Sequence, residues 1–98
     1  MLMPLRKKLD YELHYDTNVV KYLKKLVKKD KETVIMLLNT IEEIHEYPYN
    51  SDILKGNKKG DRKKRKGDYR IIYRIDNAVN PPQIRISKVG HRKKVYKR

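Results

Sequence analysis

The segment Gly67-Asp68-Tyr69-Arg70-Ile71-Ile72-Tyr73-Arg74-Ile75-Asp76 is the part of this sequence that predicts its own structure most clearly. Its first two residues are a pair typical of a tight turn between two strands. The following side chains alternate with the period of a strand, which puts one set on each face. Tyr69, Ile71, Tyr73 and Ile75 form an apolar face, and the opposite face carries Arg70, Ile72 and Arg74.

The segments on either side of this strand complete an α+β pattern. Residues 11–15 alternate and predict a first strand, whereas apolar residues in 19–27 and 34–44 recur at helical spacing and predict two helices. Residues 62–66 and 83–89 are predicted as further strands. Residues 1–98 are therefore predicted as one domain of order β-α-α-β-β-β. In this fold a small antiparallel β-sheet is packed by an N-terminal helical hairpin.

The charge of the chain is concentrated in its second half. Residues 1–54 hold nine Lys/Arg and nine Asp/Glu, while residues 55–98 hold seventeen Lys/Arg and three Asp/Glu, so the whole net charge of +14 lies after residue 54. A neutral half joined to a strongly basic half is typical of a scaffold that carries a site for a polyanion. If two helices cover one sheet face, Arg70, Arg74, Arg85 and part of 62–66 should gather on the uncovered face.

The composition narrows the chemistry further. The chain has no cysteine and only three scattered histidines, so neither a metal site nor any cofactor is predicted. No apolar run reaches the length of a signal peptide or a membrane span, and the expected compartment is the cytoplasm.

Three motifs together resemble the RelE branch of the RelE/ParE toxin superfamily. They are Leu54-Lys55-Gly56 followed by a basic strand, the segment GDYRIIY at 67–73, and VGHRKKVY at 89–96. The resemblance implies a RelE-like fold and a metal-independent endoribonuclease, or messenger-RNA interferase, that cuts messenger RNA in the ribosomal decoding site. It also implies a heteromeric toxin–antitoxin complex with a cognate, acidic, RelB-like antitoxin and no membrane partner.

The resemblance also assigns roles to individual residues. It implies that Arg70 contacts the scissile phosphate, that Arg92 binds phosphate or protonates the leaving group, and that Tyr96 orients the substrate. Lys63 and Arg65 are the best matches to the basic catalytic residues of the preceding strand, although a one-residue shift selects Lys64 and Lys66 instead. The other cations expected to bind RNA are Lys58, Lys59, Arg62, Lys64, Lys66, Arg74, Arg85, Lys93 and Lys94.

Two other functions remain open at the level of sequence. A ParE-like toxin would have the same fold and would inhibit a DNA topoisomerase without cutting nucleic acid. A plain RNA-binding module is the third alternative, and the lack of a conventional acid/base pair is the observation that favours it.

Overall fold

The structure is a computed structural model that describes residues 11–56 and 60–91. Two helices and a five-stranded sheet confirm the predicted α+β class. Neither helix has the length and apolar character that a membrane-crossing helix needs within these described ranges. The elements are β1 (Glu12–Tyr15), α1 (Thr17–Lys29), α2 (Lys31–Glu46), β2 (Asp52–Ile53), β3 (Arg62–Lys66), β4 (Tyr69–Asp76) and β5 (Gln83–His91).

The sheet is mixed: the predicted antiparallel pairing is present for β3, β4 and β5, but the prediction was wrong for β1. Its strand order is β1-β5-β4-β3-β2, in which β2 to β5 form an antiparallel meander and β1 pairs with β5 in parallel, from Glu12 opposite Gln83 to Tyr15 opposite Ile86. Only strands joined by a short turn must be antiparallel. Both helices and three strands separate β1 from β5 in the chain, so no turn fixes their relative direction.

The aspartates that precede the two helices behave differently. Asp30 accepts hydrogen bonds from the hydroxyl and the backbone N–H of Thr33, the latter at 3.1 Å, and so caps α2. These two hydrogen bonds lower the pKa of Asp30 below its ordinary value. Asp16 occupies the cap position of α1 but makes no side-chain cap; its carboxylate pairs with Arg85 instead.

The core lies between the helices and one face of the sheet. Leu37, Ile41 and Ile44 of α2 and Val19 of α1 are buried against this face. The sheet contributes residues that β4 and β5 pair directly, Ile71 with Val89 and Tyr73 with Ile86. The predicted apolar face of β4 is therefore the face that the helices cover, which we call the helix-covered face.

An irregularity in β5 changes its alternation at one point. Ile72 pairs with Lys88 and Tyr73 with Ile86, so Ser87 is an extra residue, and its hydroxyl donates a 3.1 Å hydrogen bond to the carbonyl of Ile72. A bulge of this kind shifts the side-chain alternation by one residue. As a result Ile86 and Val89 both face the core although they are three residues apart.

Candidate nucleic-acid interface

The sheet face opposite the helices carries the arginines that the sequence analysis singled out, and we call it the arginine face. The strand register decides which residues of β3 belong to it. Lys63 pairs with Ile72 and Arg65 pairs with Arg70, so both lie on the arginine face. Lys64 and Lys66 pair with Ile71 and Tyr69 and lie on the helix-covered face. The register therefore groups Arg70 with Lys63 and Arg65, and not with the pair selected by a one-residue shift.

Arg70 is much less accessible than the sequence suggested. We expected it on an uncovered face, but only 7% of its surface is exposed, and Ile72 beside it is also buried. Arg70 lies on β4, which has a strand on each side, and the aliphatic stems of neighbouring lysines and arginines can cover a strand surface. Arg65, by contrast, is exposed, and Lys63 is half-buried. Among Lys63, Arg65 and Arg70, Arg65 is therefore the most accessible to an approaching phosphate.

Two other arginines on this face are paired with carboxylates. Nε of Arg74 lies 2.8 Å from Oδ1 of Asp61, and Nη1 of Arg85 lies 2.7 Å from Oδ1 of Asp16. The hydrogen bond with Asp61 raises the pKa of Arg74. Arg74 and Arg85 also face each other across β4 and β5. Each of these two guanidinium groups is therefore partly neutralised by a neighbouring carboxylate.

Arg62 and Lys64 hold a connection in place. Arg62 donates from Nε to the hydroxyl of Ser51 at 2.9 Å and from Nη2 to the carbonyl of Ser51 at 2.8 Å, and it lies over the ring of Tyr49. Nζ of Lys64 donates to the carbonyl of Asn50 at 3.1 Å. Both side chains therefore hold the segment between α2 and β2 in place. This structural role was not part of the prediction, which assigned both residues to RNA binding.

The hydroxyl groups next to Arg62 continue into the core. The hydroxyl of Tyr73 donates to the carbonyl of Pro48 at 2.6 Å and also contacts the hydroxyl of Ser51. Burial raises the pKa of Tyr73, so this hydroxyl stays protonated and remains a donor. The chain of contacts from Arg62 through Ser51 to Tyr73 connects β3, the α2–β2 connection and β4.

Several predicted site residues lie outside the described residues. The list comprises Lys58, Lys59, Arg92, Lys93, Lys94 and Tyr96. Their assignment to RNA binding or catalysis stays a prediction. Within the described residues, the candidate catalytic site therefore consists of Lys63, Arg65 and Arg70.

One group of polar and aromatic residues was missed by the sequence analysis. It lines a cavity of about 430 Å³ and comprises Tyr22, Lys25, Leu26, Lys29, Tyr69 and His91. These residues come from α1, β4 and β5, which are distant in sequence. Only the i, i+4 spacing of Lys25 and Lys29 on a helix was a visible signal.

Neither a protein-family model nor a curated protein matches this chain. The class that the fold defines is a small α+β domain whose helices cover one face of a mixed sheet.

Proposed function

We propose that this protein is the toxin of a toxin–antitoxin pair, a RelE-type endoribonuclease that cuts messenger RNA in the ribosomal decoding site without a metal. The observation that carries the proposal is the register of the β3–β4 hairpin. It sets Arg65 directly opposite Arg70 and keeps Lys63 on the same face. These are the three described positions to which the motif resemblance assigns catalytic roles.

Cationic side chains can supply the charge stabilisation that this reaction needs. The 2′-oxygen of a ribose forms a bond to the adjacent phosphorus, the bond to the 5′-oxygen breaks, and a proton moves from the first oxygen to the second. Negative charge builds up on the phosphoryl oxygens in the transition state. Guanidinium groups from two strands can donate paired, charge-assisted hydrogen bonds to these oxygens. Donors fixed in advance where charge develops lower the barrier most effectively.

The different exposures of the two arginines suggest different tasks. Arg65 is exposed and can capture the phosphate, whereas Arg70 forms the floor beneath it. An electrostatic interaction is stronger where water is excluded, so contact with Arg70 would favour the transition state once the phosphate has approached closely. Lys63, the amine on the same face of β3, is the described group that we propose exchanges protons with the substrate.

The proposed partners follow from the same face. A ribosome would hold the messenger RNA in the reactive orientation and so reduce the entropic part of the barrier. The proposed antitoxin is an acidic, partly disordered chain that folds on binding and neutralises the basic half of the toxin. The proposed compartment is the cytoplasm, where translating ribosomes occur.

The test is to induce the protein in growing bacteria and map the 5′ ends of messenger RNA by primer extension. We expect discrete cuts and growth arrest with the unaltered protein, and loss of both with Arg65→Ala, Arg70→Ala or Arg92→Ala. Lys66→Ala is the matched control. The sequence analysis placed Lys66 among the RNA-binding cations, but its pairing with Tyr69 puts it on the helix-covered face, so its loss should leave cutting largely intact. Circular dichroism of each purified variant verifies folding. Undiminished cutting by folded Arg65→Ala and Arg70→Ala proteins would contradict the proposal.

A second candidate function is favoured by the ion pairs of the arginine face. Asp61 and Asp16 neutralise two arginines there, and Arg70 is buried, so fewer cations are available to a phosphate than the sequence suggested. A ParE-like toxin, which inhibits a topoisomerase by binding it, would not need them. The same induction separates the two functions, since DNA damage with intact messages supports this second candidate.

A further inference from the structure

The cavity between α1 and the adjoining ends of β4 and β5 is separate from the arginine face. Tyr69 and His91 pair across these strands, and both line the cavity from the helix-covered face. The proposed nuclease chemistry uses neither residue. The cavity volume of about 430 Å³ lies in the range of sites for small organic ligands.

The cavity has an ordered aromatic wall. The rings of Tyr69 and His91 meet edge to face, with centroids 5.6 Å apart and planes at 73°. Tyr22 of α1 lies next to the side chain of Tyr69 and the backbone of His91. Burial and the neighbouring Tyr69 raise the pKa of Tyr22, so its hydroxyl is protonated near neutral pH. These contacts hold three flat side chains around one space.

The rim of the cavity is cationic. Lys25 and Lys29 are one helical turn apart on α1, and both are exposed. Lys29 lies in the last turn of α1, where a cation is favoured by the helix dipole, but Lys25 lies before that turn. Two like charges at this spacing repel each other and weaken the helix slightly. The residues of the described ranges that line the cavity include two cations and no carboxylate, so this lining favours an anion over a cation.

We infer that this cavity binds a single unpaired nucleotide, with its base against Tyr22 and Tyr69 and its phosphate between Lys25 and Lys29. Aromatic side chains stack on any unpaired base, and lysines bind phosphate as compact charges. The nucleotide is either a free nucleoside monophosphate or one residue of a single-stranded RNA, which present the same chemistry to the cavity. The inference does not depend on the proposed nuclease activity.

The test is titration of the full-length protein with adenosine and uridine monophosphates and, separately, with a single-stranded RNA trinucleotide. Calorimetry gives the affinity, and amide chemical shifts map the site. Lys25→Ala and Lys29→Ala should each weaken binding at least about fivefold, since each removes a charge-assisted hydrogen bond. Lys28→Ala removes the same charge from the same helix outside the cavity and should change the affinity less than about twofold.

The aromatic wall is tested by a second pair of variants. Tyr22→Leu should weaken binding about tenfold because it removes the stacking surface, whereas Tyr22→Phe keeps the ring and should retain most of the affinity. Thermal melts verify that each variant is folded. Saturable binding of the monophosphates supports a site for free nucleotides, and binding of the trinucleotide alone supports a site for an RNA strand.

Three results would overturn the inference. They are no binding of either probe, chemical shifts confined to the arginine face, and equal losses of affinity from Lys28→Ala and Lys25→Ala. The nuclease proposal can fail independently of this one. Arg65→Ala should abolish the cutting of messenger RNA but leave the affinity of the cavity for a nucleotide unchanged.

Discussion

Arg65 and Arg70 lie directly opposite each other in the β3–β4 hairpin, close to the turn formed by Gly67 and Asp68. Gly67 has a φ of 58° at the first turn position, which a residue with a side chain adopts at a cost. The short turn therefore fixes the register and with it the arginine pair. Like charges directly opposite in a sheet are destabilising, and local rules of this kind are broken most often at functional sites.

Replacing Arg65 with threonine should stabilise the fold and impair function at the same time. The change removes the repulsion from Arg70 and adds a residue with high strand propensity, so the free energy of unfolding should rise by roughly 0.2–1 kcal/mol. Urea denaturation measures this rise, and primer extension measures the loss of cutting. Lys66→Thr makes a comparable change on the other face of β3 and should affect cutting little. A lower free energy of unfolding for the Arg65→Thr protein would contradict this prediction, because it would show that Arg65 stabilises the fold.

Replacing Asp61 with asparagine should increase the affinity for single-stranded RNA. The substitution removes the carboxylate that lies 2.8 Å from Nε of Arg74 and leaves only the weaker influence of Asp16 and Asp76, so this guanidinium can contact a phosphate more readily. Each additional phosphate contact steepens the dependence of log affinity on log salt by about 0.7 for a single strand. Fluorescence anisotropy with a labelled oligoribonucleotide at several salt concentrations measures both quantities.

The control for this change is Glu43→Gln. Glu43 is exposed on α2, which packs on the other face of the sheet, so its replacement removes the same charge without changing the surroundings of Arg74 or Lys63. The affinity of this control should rise less and its salt dependence should stay close to that of the unaltered protein. Equal slopes for the Asp61→Asn and Glu43→Gln variants would mean that Arg74 does not contact the RNA.

Replacing Tyr73 with phenylalanine should destabilise the protein by about 1–3 kcal/mol. The change removes the Tyr73 hydroxyl, to which both the buried carbonyl of Pro48 and the hydroxyl of Ser51 are hydrogen-bonded. Chemical denaturation measures the loss. Tyr49→Phe also removes one hydroxyl, which accepts a hydrogen bond from Asn77 at an exposed position, and should cost much less. Similar losses for the two variants would contradict this account of the hydroxyl network.

The local patterns in the sequence were sufficient to predict most of the elements. The alternation in 69–76 predicted β4 and its core face, and helical spacing predicted α1 and α2, because these signals depend only on near neighbours. The parallel pairing of β1 with β5 was not predictable in this way, since it joins residues about seventy positions apart. The two-residue strand β2 is too short to produce an alternating pattern.

The sequence was sufficient to predict which residues lie on the arginine face, but not how buried they are or which residues they contact. Alternation assigns Arg70 to a face, but it contains no information on what surrounds the side chain there. The pairing of Arg85 with Asp16 likewise depends on the sheet order, which brings the start of α1 next to β5. The aromatic cavity depends on three elements at once, and no single segment of the sequence reveals it.

The shortness of β2 has a consequence for how variants of β3 should be interpreted. β2 pairs only with Arg62 and Lys63. In the described part of the chain, the backbone of Lys64, Arg65 and Lys66 is therefore an edge of the sheet. Charged side chains at such an edge discourage the addition of a strand from another molecule. Neutralising several of them would favour self-association as well as remove phosphate contacts. Light scattering is therefore needed before an inactive multiple variant of β3 is attributed to lost chemistry.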